Sequence, residues 1–217
     1  MLKDTFQFPN YGALLDGQKV LIAHCSKALS DAITDILKSQ GAEVEYFSGE
    51  KTDADVLICG QLDVQKSSSD SLPEVVRQCL LDIDEAVSSC LEHMRKQQYG
   101  VIVQICEPYG RYSVPGKIIE TTATAALEGY IKGIAMDNCR YHIRANCLQL
   151  PYNLVVKEWD KDMQLLRFPG TVKDVAKAVL YLASPMSAFM TGESVPLNGG
   201  GFIIGHNQNW KRKVEQL

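Results

Sequence analysis

Short apolar runs and longer amphipathic stretches alternate along this chain from residue 19 to residue 197. Few architectures accommodate that order. Strands separated by helical segments pair in parallel, and their crossover helices must cover both faces of the sheet. Runs at 19–23 (Lys-Val-Leu-Ile-Ala), 43–47, 55–59 (Asp-Val-Leu-Ile-Cys), 101–106, 143–148 and 194–197 read as six strands. Helical spacing covers 30–40, where Ala32, Ile33, Ile36 and Leu37 recur before the stop at Gly41. It covers 71–96, opened by Ser71-Leu-Pro-Glu with Pro73 where a helix start tolerates it. It also covers 118–138 and 172–183. The expected fold is a three-layer, doubly wound α/β domain of Rossmann type with a six-stranded parallel sheet.

The 217 residues suit one domain, with a core at about 14–201, an N-terminal extension at 1–13 and a tail at 202–217. Residues 65–71, with their serine run, are the best candidate for a mobile loop. Hydrophobic residues at 46% and charged residues at 22% are ordinary for a soluble globular chain. A net charge of −4 gives no electrostatic case for nucleic acid or an anionic membrane. The start lacks the apolar run of a signal peptide, and no stretch would span a bilayer, so the expected location is cytoplasmic. Seven cysteines are scattered without Cys-x-x-Cys spacing, which predicts reduced core thiols rather than a zinc site or disulfide framework.

Several segments are similar to the short-chain dehydrogenase/reductase family, in the family's order. Leu14-Leu-Asp-Gly-Gln-Lys-Val resembles the lead-in to the first strand, and Gly41-Ala-Glu-Val the opening of the second. Ala125-Ala-Leu-Glu-Gly resembles the active-site helix, and Ile143-Arg-Ala-Asn the segment His-Gly-Ile-Arg-Val-Asn. The stretch from Thr171 to Ser184 and Thr191-Gly-Glu-Ser-Val-Pro-Leu-Asn-Gly-Gly resemble the last helix and the ending. The resemblance implies the fold and a nicotinamide-dependent oxidoreductase ancestry.

At the positions that would carry the chemistry, the residues differ. Aligned on Ala125–Gly129, the family's catalytic tyrosine is Glu120 and its lysine is Thr124. Its serine is Glu107 and its helix asparagine is Asp84. The three glycines of the phosphate loop are His24, Ala28 and Ser30, in Ala23-His-Cys-Ser-Lys-Ala-Leu-Ser. Those glycines let the backbone approach a pyrophosphate at a helix N-terminus, and side chains there collide with it. Only seven residues separate Phe47 from Asp55, too few for the family's third strand and its helix. Only fifteen separate Pro151 from Arg167, about half the usual substrate lid.

Glu107, Glu120 and Asp84 would share one cleft if the family geometry holds. Carboxylates with split pKa values perform acid–base work, but three acids without a cation repel one another. Arg111 and Lys117 are placed to neutralise them. His24 is expected to plug the vacated cofactor pocket, and Glu128 and Asp82 to lie on solvated or interfacial helix faces. Thr121, Ala125, Gly129 and Gly133 recur every fourth residue as a small-residue stripe, where two glycines suggest close approach by another helix, within the subunit or between subunits. In the family, this helix and the one before it commonly form a four-helix bundle between subunits. Phe202 and Ile203 lie beyond the last strand, where the family makes its other subunit contact.

The resemblance therefore implies a cofactor-free, non-catalytic subunit. It would assemble two plus two with an active, NAD-dependent paralogue of hydroxyacyl-CoA dehydrogenase type, without nucleic acid, membrane or metal. Changed acid–base chemistry at the three carboxylates, or a small-ligand regulatory module, are the alternatives.

Overall fold

In the computed structural model, residues 13–60, 71–111, 113, 115–156 and 164–204 are described. Six parallel strands form one sheet: β1 Lys19–Ala23, β2 Glu43–Tyr46, β3 Val56–Cys59, β4 Gly100–Cys106, β5 Ile143–Gln149 and β6 Ser194–Pro196. Their order is β2-β1-β3-β4-β5-β6. The crossover direction reverses between β1 and β3, so the expected doubly wound topology is present. Among the described residues no strand extends the sheet past β2, which leaves β2 at its edge with Tyr46 more than half exposed.

Alternate residues of each strand feed opposite faces. Val20 and Ile22 of β1 pack with Leu29, Ile33 and Leu37 of α1 (Lys27–Ser39) and with Val175 and Val179 of α5 (Val172–Ala183). Leu21 and Ala23 face the other way, toward Ile83, Val87 and Met94 of α2 (Leu72–Gln97) and Leu127 and Ile131 of α3 (Ile118–Asn138). The two apolar layers that the alternation demands are thus filled by the apolar stripes of two helix pairs.

The helices begin where their caps dictate. Ser71 N–H donates to Glu74 Oε2 at 2.9 Å ahead of α2, and Thr171 and Asp174 exchange reciprocal bonds of 2.9 and 3.3 Å at the start of α5. α1 starts at Lys27, three residues before the sequence suggests, because Ala28 and Ser30 are absorbed into its first turn. Alanine is the best helix former, whereas glycine at these positions would leave a loop. Two short helices, α4 (Tyr152–Val156) and α6 (Gly201–Ile204), escape sequence reading because neither is long enough to show a period.

The cysteines sit as expected for free thiols. Cys59, Cys79, Cys90, Cys106 and Cys147 are buried, Cys25 is half-buried and Cys139 is exposed. Burial pushes the Cys25 and Cys90 thiols up to about 12. Among the described residues no helix is long and apolar enough to cross a membrane. The extension before Ala13, the serine run at 65–70, residues 157–163 of the shortened lid and the basic tail at 211–213 lie outside the described residues.

Candidate functional site

Ligands of open α/β sheets bind beyond the carboxyl ends of the strands, at the point where strand order reverses. Here that point is the loop after β1. His24 follows Ala23 with φ of 53°, the left-handed conformation that a glycine would take without cost. The turn takes this conformation without a glycine. The exposed His24 ring lies 5.6 Å from the ring of Phe47, directly after β2. In a dinucleotide site an acidic side chain about 20 residues past the loop holds the ribose; at the end of β2 this chain carries an aromatic ring. Cys25 packs against Gly60, where an added Cβ would lie only 2.5 Å from Cys25 Cα and Sγ. An imidazole, a half-buried thiol and a phenyl ring therefore stand where a dinucleotide fingerprint uses glycines and a carboxylate.

His24, expected to plug the pocket, is exposed at the strand end, its ring tilted 58° to that of Phe47. Ala28 is exposed on α1, and Ser30 Oγ donates to Lys27 O at 3.1 Å, closing the first turn.

The second half of the site lies beyond β4 and β5. Glu107 follows β4 and is 5% exposed, ahead of a 3-10 turn at Pro108–Gly110. Lys117, just before α3, donates Nζ to Glu120 Oε1 at 2.6 Å, and both side chains are mostly covered. The same ammonium sits 5.9 Å from the centroid of the buried Tyr109 ring, which meets Tyr152 of α4 edge-on at 6.2 Å. The hydrogen bond to Glu120 raises the Lys117 pKa, and the charge of Glu107 contributes in the same direction. Burial, followed by the neighbouring Tyr152 and then the charges of Glu107 and Glu120, raises the Tyr109 phenol above its ordinary range. The cation that a cluster of carboxylates requires is thus Lys117, whereas Arg111 is exposed.

Thr124, at the lysine position, is 3% exposed and sealed. An added Cβ on Gly110 would meet Thr124 Cγ2 at 2.9 Å and Glu128 Oε1 at 3.0 Å, so the 3-10 turn closes directly onto α3. Glu128 is buried as well, contrary to the expected solvated face, because the fully buried Gln149 at the end of β5 donates Nε2 to its Oε1 at 2.5 Å. Lys117 pairs with Glu120 as the sequence places it to, whereas Tyr109, Tyr152 and Gln149 form contacts here that sequence reading does not supply, since they come from three separate segments.

Asp84 does not join this cleft. It is exposed on the outer side of α2, accepts from Tyr130 OH at 2.8 Å, and lines a groove with Leu80 and Leu81. The inward stripe of α2 runs through Cys79, Ile83 and Val87, and Asp84 stands one position off it. Cys79, on the inward stripe, lies within electrostatic reach of Glu107. The helical phase of α2 carries that signal.

The small-residue stripe of α3 faces outward. Ala125, Gly129 and Gly133 are exposed, and a Cβ added at either glycine meets nothing within 4 Å among the described residues, so packing against these does not explain them. Thr121 is half-buried and shares a hydrogen bond of 3.0 Å with Ser113. In α6, Phe202 is half-buried and Ile203 is exposed. Among the described residues no three His, Cys, Asp or Glu side chains are grouped to hold a metal ion.

The family model described as enoyl-(acyl carrier protein) reductase matches residues 83–201, which spans α2 from Ile83 to the turn after β6. The 3-oxoacyl-(acyl-carrier-protein) reductase FabG of Chlamydia trachomatis is 27% identical over 200 residues, covering 84% of this chain and 80% of that protein. The Chlamydia pneumoniae reductase of the same name is 29% identical over 148 residues, and the chain spans 59% of its length. An uncharacterized oxidoreductase of Thermotoga maritima is 26% identical over 223 residues, 87% of this chain and 89% of that one. A solved short chain dehydrogenase/reductase family protein superposes with a TM-score of 0.76 at 19% identity, covering 88% of this chain and 99% of that chain. A gluconate 5-dehydrogenase from Burkholderia cenocepacia, solved with NADP and tartrate, superposes with a TM-score of 0.72 at 17% identity, covering 87% and 96%. The parallel sheet, its helix order and a match over more than half its length place the chain in one family: it belongs to the short-chain dehydrogenases/reductases.

Proposed function

We propose that this chain is a cofactor-free, non-catalytic member of the family, working as a structural subunit beside an active paralogue in the cytoplasm. The assembly would be a two-plus-two, NAD-dependent dehydrogenase of hydroxyacyl-CoA type, with the nicotinamide bound by the paralogue alone. It resembles the dehydrogenase of anaerobic toluene degradation (benzylsuccinate β-oxidation), whose two subunits are both family members and one of which lacks catalytic residues.

The observation that carries this reading is the state of the catalytic pair. Glu120 stands at the tyrosine position bound to Lys117 at 2.6 Å, and Thr124 stands at the lysine position sealed under Gly110. Hydride transfer in this family needs a phenol poised to move a proton and a lysine that lowers its pKa. A carboxylate already committed to an ammonium supplies neither. The loop of His24 and Cys25 supports the same reading on the cofactor side. Glu107 and Glu120 beside Lys117 keep acid–base chemistry as the alternative.

Purification of the tagged chain from its native cells, followed by nicotinamide titration of the isolated chain, tests the proposal. Co-purification of a homologue carrying Tyr-x-x-x-Lys, with no saturable NADH or NADPH binding by the isolated chain, is the expected result. Tight nicotinamide binding, or turnover by the lone chain that is lost in Glu120→Gln, would overturn it.

A further inference from the structure

The backbone of β2 is bonded on one side and open on the other. Glu43 N–H donates to Gln18 O and Phe47 N–H to Ile22 O, each at 2.9 Å, on the β1 side. Backbone direction alternates along a strand, so the N–H and C=O groups of Val44 and Tyr46 point off the edge of the sheet. Among the described residues no strand pairs with them. Open rungs beside a tyrosine that is 55% exposed are a template for another strand.

The edge selects its occupant by face and by charge. Val44 and Tyr46 belong to the α1 side, where Val44 packs on the core and Tyr46 OH shares a hydrogen bond of 2.9 Å with Thr34. Glu43 and Glu45 belong to the opposite face, where their charges act on Lys19. These acids disfavour a second β2. Two-fold pairing centred on Glu45 sets it about 5 Å from its own copy, and pairing centred on Val44 sets Glu43 against Glu45. The fitting strand carries apolar side chains at alternate positions on one face and no acid opposite the glutamates. Residues 5–8 of this chain, Thr-Phe-Gln-Phe, have that alternation. They are also tethered at the correct end. Ala13, the first described residue, lies at the foot of β2: a Cβ on Gly41 would stand 3.0 Å from Ala13 Cβ, and Leu14 N–H donates to Gln40 Oε1 at 3.4 Å. The four steps from Pro9 to Ala13 reach about 13 Å, enough to climb the roughly 7 Å from Gly41 to Glu43 and step sideways by one strand.

We propose that residues 5–9 add to β2 as an antiparallel seventh strand, with Phe8 opposite Val44, Gln7 opposite Glu45 and Phe6 opposite Tyr46. Pro9 then faces Glu43, at a position whose nitrogen points to solvent and where an edge strand tolerates proline. Thr5 stands opposite Phe47, which delivers residues 1–4 to the rim where Phe47 meets His24. The pairing rests neither on the catalytic positions nor on a paralogue.

Amide hydrogen exchange of the full-length chain reads the pairing. The Val44 and Tyr46 N–H groups are expected to exchange at least about tenfold more slowly than open-edge amides. Phe6→Pro removes a donor aimed at β2 and should speed Tyr46 exchange at least about tenfold, whereas Gln7→Pro, altering a nitrogen that points to solvent, should change it less than about threefold. Gln7→Cys with Glu45→Cys, opposed on one face, should close an intrachain disulfide on mild oxidation. Phe6→Cys with Glu45→Cys, on opposite faces, should not. Val44 and Tyr46 amides that exchange at open-edge rates, equal effects of the two prolines, or a disulfide that fails to form or forms only between chains would each overturn the proposal.

Discussion

The amide of Gln149 donates to the Glu128 carboxylate across 2.5 Å, joining the end of β5 to the middle of α3 with Gln149 wholly buried. Removing the acceptor strands a buried N–H. Glu128→Ala is expected to cost about 1–3 kcal/mol, a fall in melting temperature of roughly 3–10 °C. Glu128→Gln keeps an acceptor and should cost less. Urea denaturation of both variants reads the difference, and an alanine variant as stable as the parent would show that the bond contributes nothing.

Two glycines hold the loops against the core by lacking a side chain. A Cβ on Gly60 would lie 2.5 Å from Cys25 Cα, a backbone atom that cannot rotate away, so Gly60→Ala should cost more than about 3 kcal/mol and yield little folded protein. At Gly110 the nearest obstacle is the Thr124 methyl at 2.9 Å. Gly110→Ala should therefore cost about 2 kcal/mol, and the added change Thr124→Ser, which deletes that methyl, should return part of the loss. Equal stability of the single and double variants would place the clash elsewhere.

The frame was legible in sequence because periodicity is a local property. The run Lys19–Ala23 and the helix Ile118–Asn138 have the bounds that their apolar spacing predicts. Glu107 and Glu120 also fall on one site, because a strand end and the following helix start are brought together by the fold itself. Asp84 failed for a reason readable in retrospect: one position, about 100° of helical turn, separates it from the inward stripe through Ile83. The burial of Glu128 was not legible at all. It depends on Gln149, a residue 21 positions away whose side chain points under α3 only once β5 is in place.

Two ion-paired groups, Glu92 and Lys117, set opposite ends of the pH profile. Hydrogen bonds from Lys96 and Lys51, at 2.8 and 3.0 Å, hold the Glu92 carboxyl down at about 2. A depressed acid stabilises above its ordinary value of 4.5, and that contribution is lost as pH falls through about 2. Lys117 is raised above 10.5 by Glu120, so its contribution is present below 10.5 and is lost as pH rises past its folded value. Glu92→Gln should flatten only the acid limb of stability against pH, and Lys117→Met only the alkaline limb. Added salt should weaken the Glu92 effect most, because that pair is solvent-exposed. Chemical denaturation across both limbs measures this, and identical profiles for parent and variants would remove both pairs from the account.

Restoring the family's catalytic pair should not restore catalysis. Glu120→Tyr with Thr124→Lys returns the Tyr-x-x-x-Lys spacing to α3, but the loop after β1 still carries His24 and Cys25, and the Phe47 ring still lies 5.6 Å from that of His24. Adding His24→Gly, Ala28→Gly and Ser30→Gly addresses the loop at a structural cost. Residues 28 and 30 lie inside α1, where glycine destabilises by roughly 0.5–1 kcal/mol at each position. The five-residue variant should thus be about 1–2 kcal/mol less stable than the parent. It should also remain unable to bind a nicotinamide tightly, since Cys25 stays packed on Gly60 and no carboxylate ends β2. Calorimetric titration with NADPH, together with nicotinamide absorbance in the presence of a 3-oxoacyl thioester, reads both properties. Saturable binding or turnover in the two-residue variant would mean that the loop does not exclude the cofactor, and would overturn the cofactor side of the proposal.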